Sequence, residues 1–288
     1  MGNRNMSVNA IPEKSAENQV ESILFVAHDI TELKAKEEQL REIYKKVQDS
    51  INYAKRIQEA IMPETSILQR FFHDSFILFR PKDVVSGDFP WLVEKGKDVY
   101  IAAVDCTGHG VPGALMSLIG YFLLNNIVDT HENLSASAIL DLLDEQVTKT
   151  LRQDTPDSVT KDGMDISLAK INVEQRLLEY AGAHRPLYYL NGENGELEEV
   201  KGNKFPIGGA QYRNRTNFDN FSIQYKTGDI ALLFSDGLPD QFGGPDNRKF
   251  SPKRIRDILK SSLNIPMTQV DTMMNKELNE WMKNGEVK

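Results

Sequence analysis

The pattern of apolar and polar positions changes character along the chain. Two short runs of strand-like composition come first, residues 7–11 and 21–27, joined by the polar segment 12–19. Two strands alone make at most a hairpin, which is marginal without a further layer. A seven-residue period follows. Leu33, Leu40, Val47, Ala54 and Ile61 recur at that spacing, with Ile43, Ile51 and Ile57 between them after one irregular step and Lys36 as the polar exception. Roughly four heptads of this kind predict a long helix of coiled-coil type. Its other faces carry Lys34, Glu37, Arg41, Glu42, Lys45 and Glu59 in mixed sign, as on a solvated surface. Pro63 ends it. Two readings stand open, a parallel dimeric stalk or one long helix packed on its own domain.

Beyond residue 65 the period shortens to that of strands. The pattern predicts a strand over 75–80, a hairpin of 88–93 with 98–104, helices over 113–128 and 136–152, and strands over 164–173, 177–183, 187–190, 197–199, 221–225 and 230–234. A closing helical region starts near Pro252. Short strands joined by turns and interrupted by a helical pair predict an α+β fold, with antiparallel sheet and helices segregated from it. No run of about 18 apolar residues is present, so no membrane span is expected. The first residues lack a basic-then-apolar leader, and a cytoplasmic location is expected.

Charge and cysteine content narrow the chemistry. The 34 Lys+Arg against 42 Asp+Glu give a formal charge of −8, against the basic footprint that nucleic-acid binding requires. The single cysteine, Cys106, excludes an internal disulfide framework and any CxxC zinc site. The five histidines do not form a spaced ligand set.

Aspartates stand out where extended runs begin or end. Asp88 lies in Ser86-Gly87-Asp88-Phe89. Asp105 follows VYIAAV and opens Asp105-Cys106-Thr107-Gly108-His109-Gly110, and Asp236 follows IALLF in Ser235-Asp236-Gly237. An aspartate ending an apolar strand is a carboxylate held at the rim of a core, and adjacent glycines let backbone or ligand approach closely. Carboxylates with backbone carbonyls and water are the ligand set of Mg²⁺ and Mn²⁺. Each Asp-Gly pair alone is equally the composition of a turn.

The surrounding segments carry a resemblance. The FRPKDVVSGDF run at 79–89, VDCTGHGVPGALMSLIG at 104–120, KDGMDISL at 161–168, YAGAHRPLYYL at 180–190 and GDIALLFSDGLPDQFGGP at 228–245 occur in this order. Together they resemble the SpoIIE-type branch of the metal-dependent serine/threonine phosphatases, the PPM (phosphatase-2C-like) superfamily. The resemblance implies two packed antiparallel sheets flanked by helices, an αββα sandwich. It implies two divalent ions, Mn²⁺ or Mg²⁺, with Asp105 bridging, the main-chain carbonyl of Cys106 and Asp236 as further ligands, and Asp88 on the second ion. Asp165 is a structural residue or an outer metal contact. Such a pair of ions activates a water for direct attack on phosphorus. His109 is a candidate acid for the leaving oxygen, or a turn cap between two glycines. Arg80 is a candidate phosphate contact, or an ion-paired surface residue. No C-x5-R loop surrounds Cys106, so a thiol nucleophile is not expected.

The run SILFVAHDITE at 22–32 resembles the last strand and exit motif of a PAS sensor domain, with a hairpin that merely packs elsewhere as the other reading. The expected organisation is therefore a PAS-like remnant over 1–31, a coiled-coil helix over 32–64 that makes a homodimer, and the phosphatase domain over 65–288. By resemblance its substrate is a phosphorylated regulatory protein such as an anti-sigma-factor antagonist. Two departures stand against this. Phe89-Pro90-Trp91 puts a proline just after the metal aspartate, where the family usually has an aromatic residue, and the family's last strand would begin about where the chain stops, at 284–288, so that strand and its metal aspartate are expected to be missing. On the second departure, the alternative is a phosphoprotein-binding or dimerisation module with an incomplete second metal site.

Overall fold

In the computed structural model the described residues are 4–155, 157–158, 160–209 and 216–283. The chain divides into two compact units, Met1–Ala54 and Lys55–Lys288. Residues 284–288, where the family's last strand would begin, lie outside the described residues.

In the first unit, β1 (Met6–Lys14) and β2 (Val20–Asp29) form an antiparallel hairpin pairing Met6 with Asp29 and Ile11 with Leu24. Val8, Ile11, Ile23, Leu24 and Phe25 are exposed on it. The Asp29 carboxylate accepts from the Thr31 amide at 3.0 Å and the Thr31 hydroxyl at 2.6 Å. There the long helix α1 (Thr31–Ile61) begins, and it stops just before Pro63 as the sequence predicts. The heptad residues Leu33, Leu40, Ile43 and Val47 are all exposed. The last turns of α1, from Lys55, belong to the second unit.

The second unit is a four-layer arrangement. After the short α2 (Thr65–Phe71), β3 (Phe89–Lys95) and β4 (Asp98–Cys106) form the predicted hairpin. The pair α3 (Gly110–Thr130) and α4 (Ala136–Thr150) follows. Next come β5 (Gly163–Asn172), β6 (Leu177–Ala183), β7 (Leu187–Leu190), β8 (Leu197–Val200) and β9 (Ile207–Gly208). The chain continues through β10 (Phe221–Gln224), β11 (Ile230–Leu233) and a small pair, β12 (Phe242–Gly243) with β13 (Arg248–Lys249). It closes with α5 (Ser251–Ser261) and α6 (Met267–Met282). One sheet has the order β10-β6-β5-β4-β3 with β9 on β5, the other β11-β7-β8, and every strand pair is antiparallel.

Period-two alternation sorts the side chains of both sheets into separate cores. On β5, Ile166 and Leu168 join Trp91 and Val104 under Leu124 and Ile127 of α3 and Ile139 and Leu140 of α4. Ala169 and Ile171 point the other way, meeting Leu178, Tyr180, Leu187 and Val200 between the sheets. On the second sheet, Tyr188, Leu190, Ile230 and Leu232 pack beneath Ile255, Leu259, Met274 and Leu278 of α5 and α6. Both faces of both sheets are covered, which is why the inner strands read as nearly continuous apolar runs.

Two expectations change. Residues 75–80 form no strand, although their composition is strand-like. And α3, extended beyond its predicted ends, is long and apolar enough by length and composition to cross a bilayer. In this fold it is a core helix, with Leu124 and Ile127 fully buried and the Asn125 side chain accepting from the Trp91 indole at 3.0 Å.

Two polar clamps fix the ends of site-bearing segments. Gln58, on the last turns of α1 and only 6 % exposed, donates to the Ser86 carbonyl at 2.6 Å and the Ser117 hydroxyl at 2.8 Å, and accepts from the Ser86 amide at 3.0 Å. At the foot of β11, the Asp229 carboxylate accepts from the Gly192 amide at 2.8 Å, the Lys226 amide at 2.7 Å and the Tyr189 hydroxyl. Burial pushes Asp229 up, but these hydrogen bonds outweigh it and hold the carboxyl below its ordinary value.

Gln58→Leu keeps the volume and leaves the partly buried Ser86 amide and carbonyl without their side-chain partner, while the Ser117 hydroxyl keeps its bond to the Ala114 carbonyl. It should lower stability by about 1–3 kcal/mol in urea unfolding, against little change for the exposed Glu59→Gln. Asp229 stabilises the fold fully above its unfolded pKa of 3.8, and that contribution is lost as pH falls through the lower native value. The stability gap between the native protein and Asp229→Asn should therefore be constant near neutrality and shrink below about pH 4.

Candidate functional site

The αββα layering brings several strand ends to one rim, and the candidate aspartates ride on them. Asp88 immediately precedes β3, Asp105 is the penultimate residue of β4, and Asp236 follows β11. The register of β4 against β5 sets Asp105 directly across from Asp165. Like charges directly opposite are destabilising on a sheet face. Here a cation lies against both.

That cation is Arg185, from the turn between β6 and β7. Its Nη2 is 2.5 Å from Asp165 Oδ2, 2.8 Å from Asp236 Oδ2 and 3.6 Å from Asp105 Oδ2. Its side chain is 15 % exposed, and Asp105 and Asp165 are 18 % exposed each. Asp165 is held from a second side by His184 Nδ1 at 2.9 Å, where His184 takes a left-handed φ of 56°. Asp105 lies within hydrogen-bonding reach of both Asp88 and Asp236, and the Ser235 hydroxyl donates to Asp88 at 2.5 Å.

The electrostatics follow from this crowding. Burial, then the charges of Asp88 and Asp236, push Asp105 up to about 9. Burial also raises Asp88, against the opposing hydrogen bond from Ser235. Burial works against the Arg185 charge, but Asp236, Asp165 and Asp105 outweigh it and hold the guanidinium above its ordinary value. Burial raises the Cys106 thiol well above its usual range, which leaves no thiolate for nucleophilic chemistry at neutral pH.

The loop carrying the Cys106 carbonyl packs tightly on the Asp88 loop. A Cβ at Gly87 would stand 2.7 Å from the Gly108 carbonyl and 3.0 Å from that of Cys106, so only glycine fits there. Asp88 and Asp236 also line a cavity of about 1190 Å³ whose deeper walls are apolar, with Ile101, Ile171, Leu178 and Leu233 among them. His109 also lines it, at the N-terminus of α3. It makes no cap bond with its side chain and instead pairs through Nδ1 with Asp83 at 3.0 Å. Arg80 donates to Asn279 of α6 at 2.9 Å and is not among the carboxylate contacts.

The donor chemistry is that of a hard divalent cation, since carboxylates and a main-chain carbonyl converge where like charges need neutralising. As the side chains stand, no group of three His, Cys, Asp or Glu residues among those described is arranged to hold a metal ion. Sequence reasoning missed Arg185 and Gln58. The one signal for Arg185 was its place in the YAGAHRPLYYL segment, beside residues whose partners lie far along the chain.

Comparison with known proteins shows the family. The family described as Stage II sporulation protein E (SpoIIE) matches residues 95–288. The phosphoserine phosphatase RsbU of Bacillus subtilis is 26% identical over 209 residues, 70% of this chain, and the chain spans 56% of that relative's length. Among solved structures, the SiaA-PP2C domain of Pseudomonas aeruginosa is 31% identical with a TM-score of 0.73, covering 83% of this chain and 92% of that one. The PP2C phosphatase domain of SpoIIE from Bacillus subtilis, with a fragment of its regulatory domain, shares the fold at 19% identity and a TM-score of 0.53, over 67% of this chain and 53% of that one. Segments at 104–120, 161–168, 180–190 and 228–245 thus lie within the matched region, and the chain belongs to the SpoIIE family.

Proposed function

We propose that the unit from Lys55 onward is a metal-dependent protein phosphatase that hydrolyses phosphoserine or phosphothreonine. The observation that carries this reading is the convergence of Asp88, Asp105 and Asp236 from three separate strand ends, in a chain of the SpoIIE family. Asp88, Asp105, Asp236 and the main-chain carbonyl of Cys106 would hold two Mn²⁺ or Mg²⁺ ions, which supply a water nucleophilic near neutral pH and neutralise phosphoryl charge. The chain's own residues prepare that site. Ser235 orients Asp88 through its hydroxyl, and Asp105 sits central to the other two acids. With Nδ1 engaged by Asp83, His109 offers Nε2 to the leaving serine or threonine oxygen. Asp165, bonded to His184 and Arg185, acts from outside the ligand set.

The first unit supports a signalling arrangement. The exposed heptad residues Leu33, Leu40 and Val47 would be covered by a second copy in a parallel coiled coil, behind a PAS-like segment. The substrate on this reading is a phosphorylated regulatory protein, such as an anti-sigma-factor antagonist in the cytoplasm. A second reading, a phosphoprotein-binding module without turnover, is favoured by one observation: Arg185 fills the acidic cluster where a cation would sit.

The two readings separate on Mn²⁺-dependent hydrolysis of p-nitrophenyl phosphate and of a phosphoserine peptide. The chain should turn both over, and Asp105→Asn should lower the rate by about a hundredfold or more, the scale of losing a principal transition-state contact. Absence of metal-dependent turnover, with phosphopeptide binding retained, would favour the binding module.

A further inference from the structure

We propose that Arg185 is a built-in counter-ion of the acidic site, which a divalent ion must move off Asp236 and Asp105 to bind, so that the guanidinium sets the site's metal affinity. The inference rests on the metal-dependent reading above and adds a competitor within the chain.

Four observations carry it. First, the Nη2 contacts are with Asp236 and Asp105, two of the carboxylates that would serve an ion, as well as with Asp165. Second, as the side chains stand, no group of three His, Cys, Asp or Glu residues among those described is arranged to hold a metal ion. Third, Arg185 Nε is buried and has no hydrogen-bond partner among the described residues. Arg–carboxylate pairs are frequently bidentate forks. Here the contacts with Asp105, Asp165 and Asp236 are made through Nη2, and an inner donor stays unsatisfied. On the proposal, this tip contact is the one that gives way when a divalent charge arrives. Fourth, the root of the side chain is fixed. The Tyr180 hydroxyl donates to the Arg185 carbonyl, and a Cβ at Gly202 would lie 2.6 Å from that same oxygen. Exchange is thus a side-chain rotation on a rigid base.

The fold also supplies a second station. Asp165 bonds Arg185 at 2.5 Å and His184 at 2.9 Å, outside the proposed ligand set. When the tip leaves Asp236 and Asp105, the contact with Asp165 keeps the guanidinium paired. The metal-free site is then held against its own repulsion by a cation that costs no diffusion, and the loaded site hands that cation to Asp165.

The test is calorimetric titration of Mn²⁺ alone into the full chain, with Arg185→Met, Arg185→Lys and Asp105→Asn. Arg185→Met should bind Mn²⁺ about tenfold more tightly or better, the scale on which one adjacent cation alters a carboxylate's proton affinity. Without metal it should melt below the native protein, and with saturating Mn²⁺ the two should converge. Arg185→Lys, which keeps the charge, should retain near-native affinity. In the unsubstituted protein, the Arg185 Nε–H resonance should shift on Mg²⁺ titration, a readout that does not depend on any variant folding. Unchanged or weaker Mn²⁺ binding by Arg185→Met, or an Nε–H signal unmoved by saturating Mg²⁺, overturns the counter-ion while Asp105→Asn still weakens binding. Binding that Asp105→Asn leaves intact overturns the metal site itself, and the counter-ion with it.

Discussion

Mutual repulsion among carboxylates is the constraint around which this fold is arranged. Asp88, Asp105, Asp165 and Asp236 arrive from different strands at one partly buried rim, and nothing in sheet geometry favours gathering them. Burial and neighbouring charge disfavour the ionised forms of Asp88 and Asp105 there. Their convergence is imposed by the layering, because two sheets whose inner faces share one apolar core must bring their edges together. The site is therefore a cost borne by the packing of Ile166, Leu168, Ile171, Leu178 and Tyr180, and it is offset only where a positive charge enters.

That view explains the positions of the polar partners nearby. Ser235 donates to Asp88, His184 and Arg185 to Asp165, and Arg185 to Asp236. Of these acids, Asp88 and Asp236 face the cavity, and there outside charge can complete the arrangement.

Much of this was legible in the sequence for a physical reason. Strands β6 and β7 were predicted at their observed limits because both faces are buried and turn residues bracket them. Helix α1 was legible through its seven-residue period and Pro63. Asp105 and Asp236 stood out because each closes an apolar run shortly before a glycine. Residues 75–80 misled because strand composition is necessary for pairing but does not supply a neighbouring edge. Arg185 was illegible because its meaning lies in Asp165, Asp105 and Asp236, 20 and more residues away, and no local pattern encodes such a contact. Gln58 looked like one polar position among many on a solvated helix, and only its burial against Ser86 and Ser117 distinguishes it.

The Gln58 clamp bears on how such proteins recombine. The unit that carries the acidic site does not begin after the long helix but inside it, since Gln58 satisfies the amide and carbonyl of Ser86, two residues from Asp88. A gene fusion joined at Pro63 would discard those bonds and loosen the loop that holds a principal carboxylate. A fusion joined before Lys55 would keep them. The exchangeable module therefore carries the final turns of α1 as its own first element, and sensors of different kinds could be spliced ahead of it by matching helix to helix.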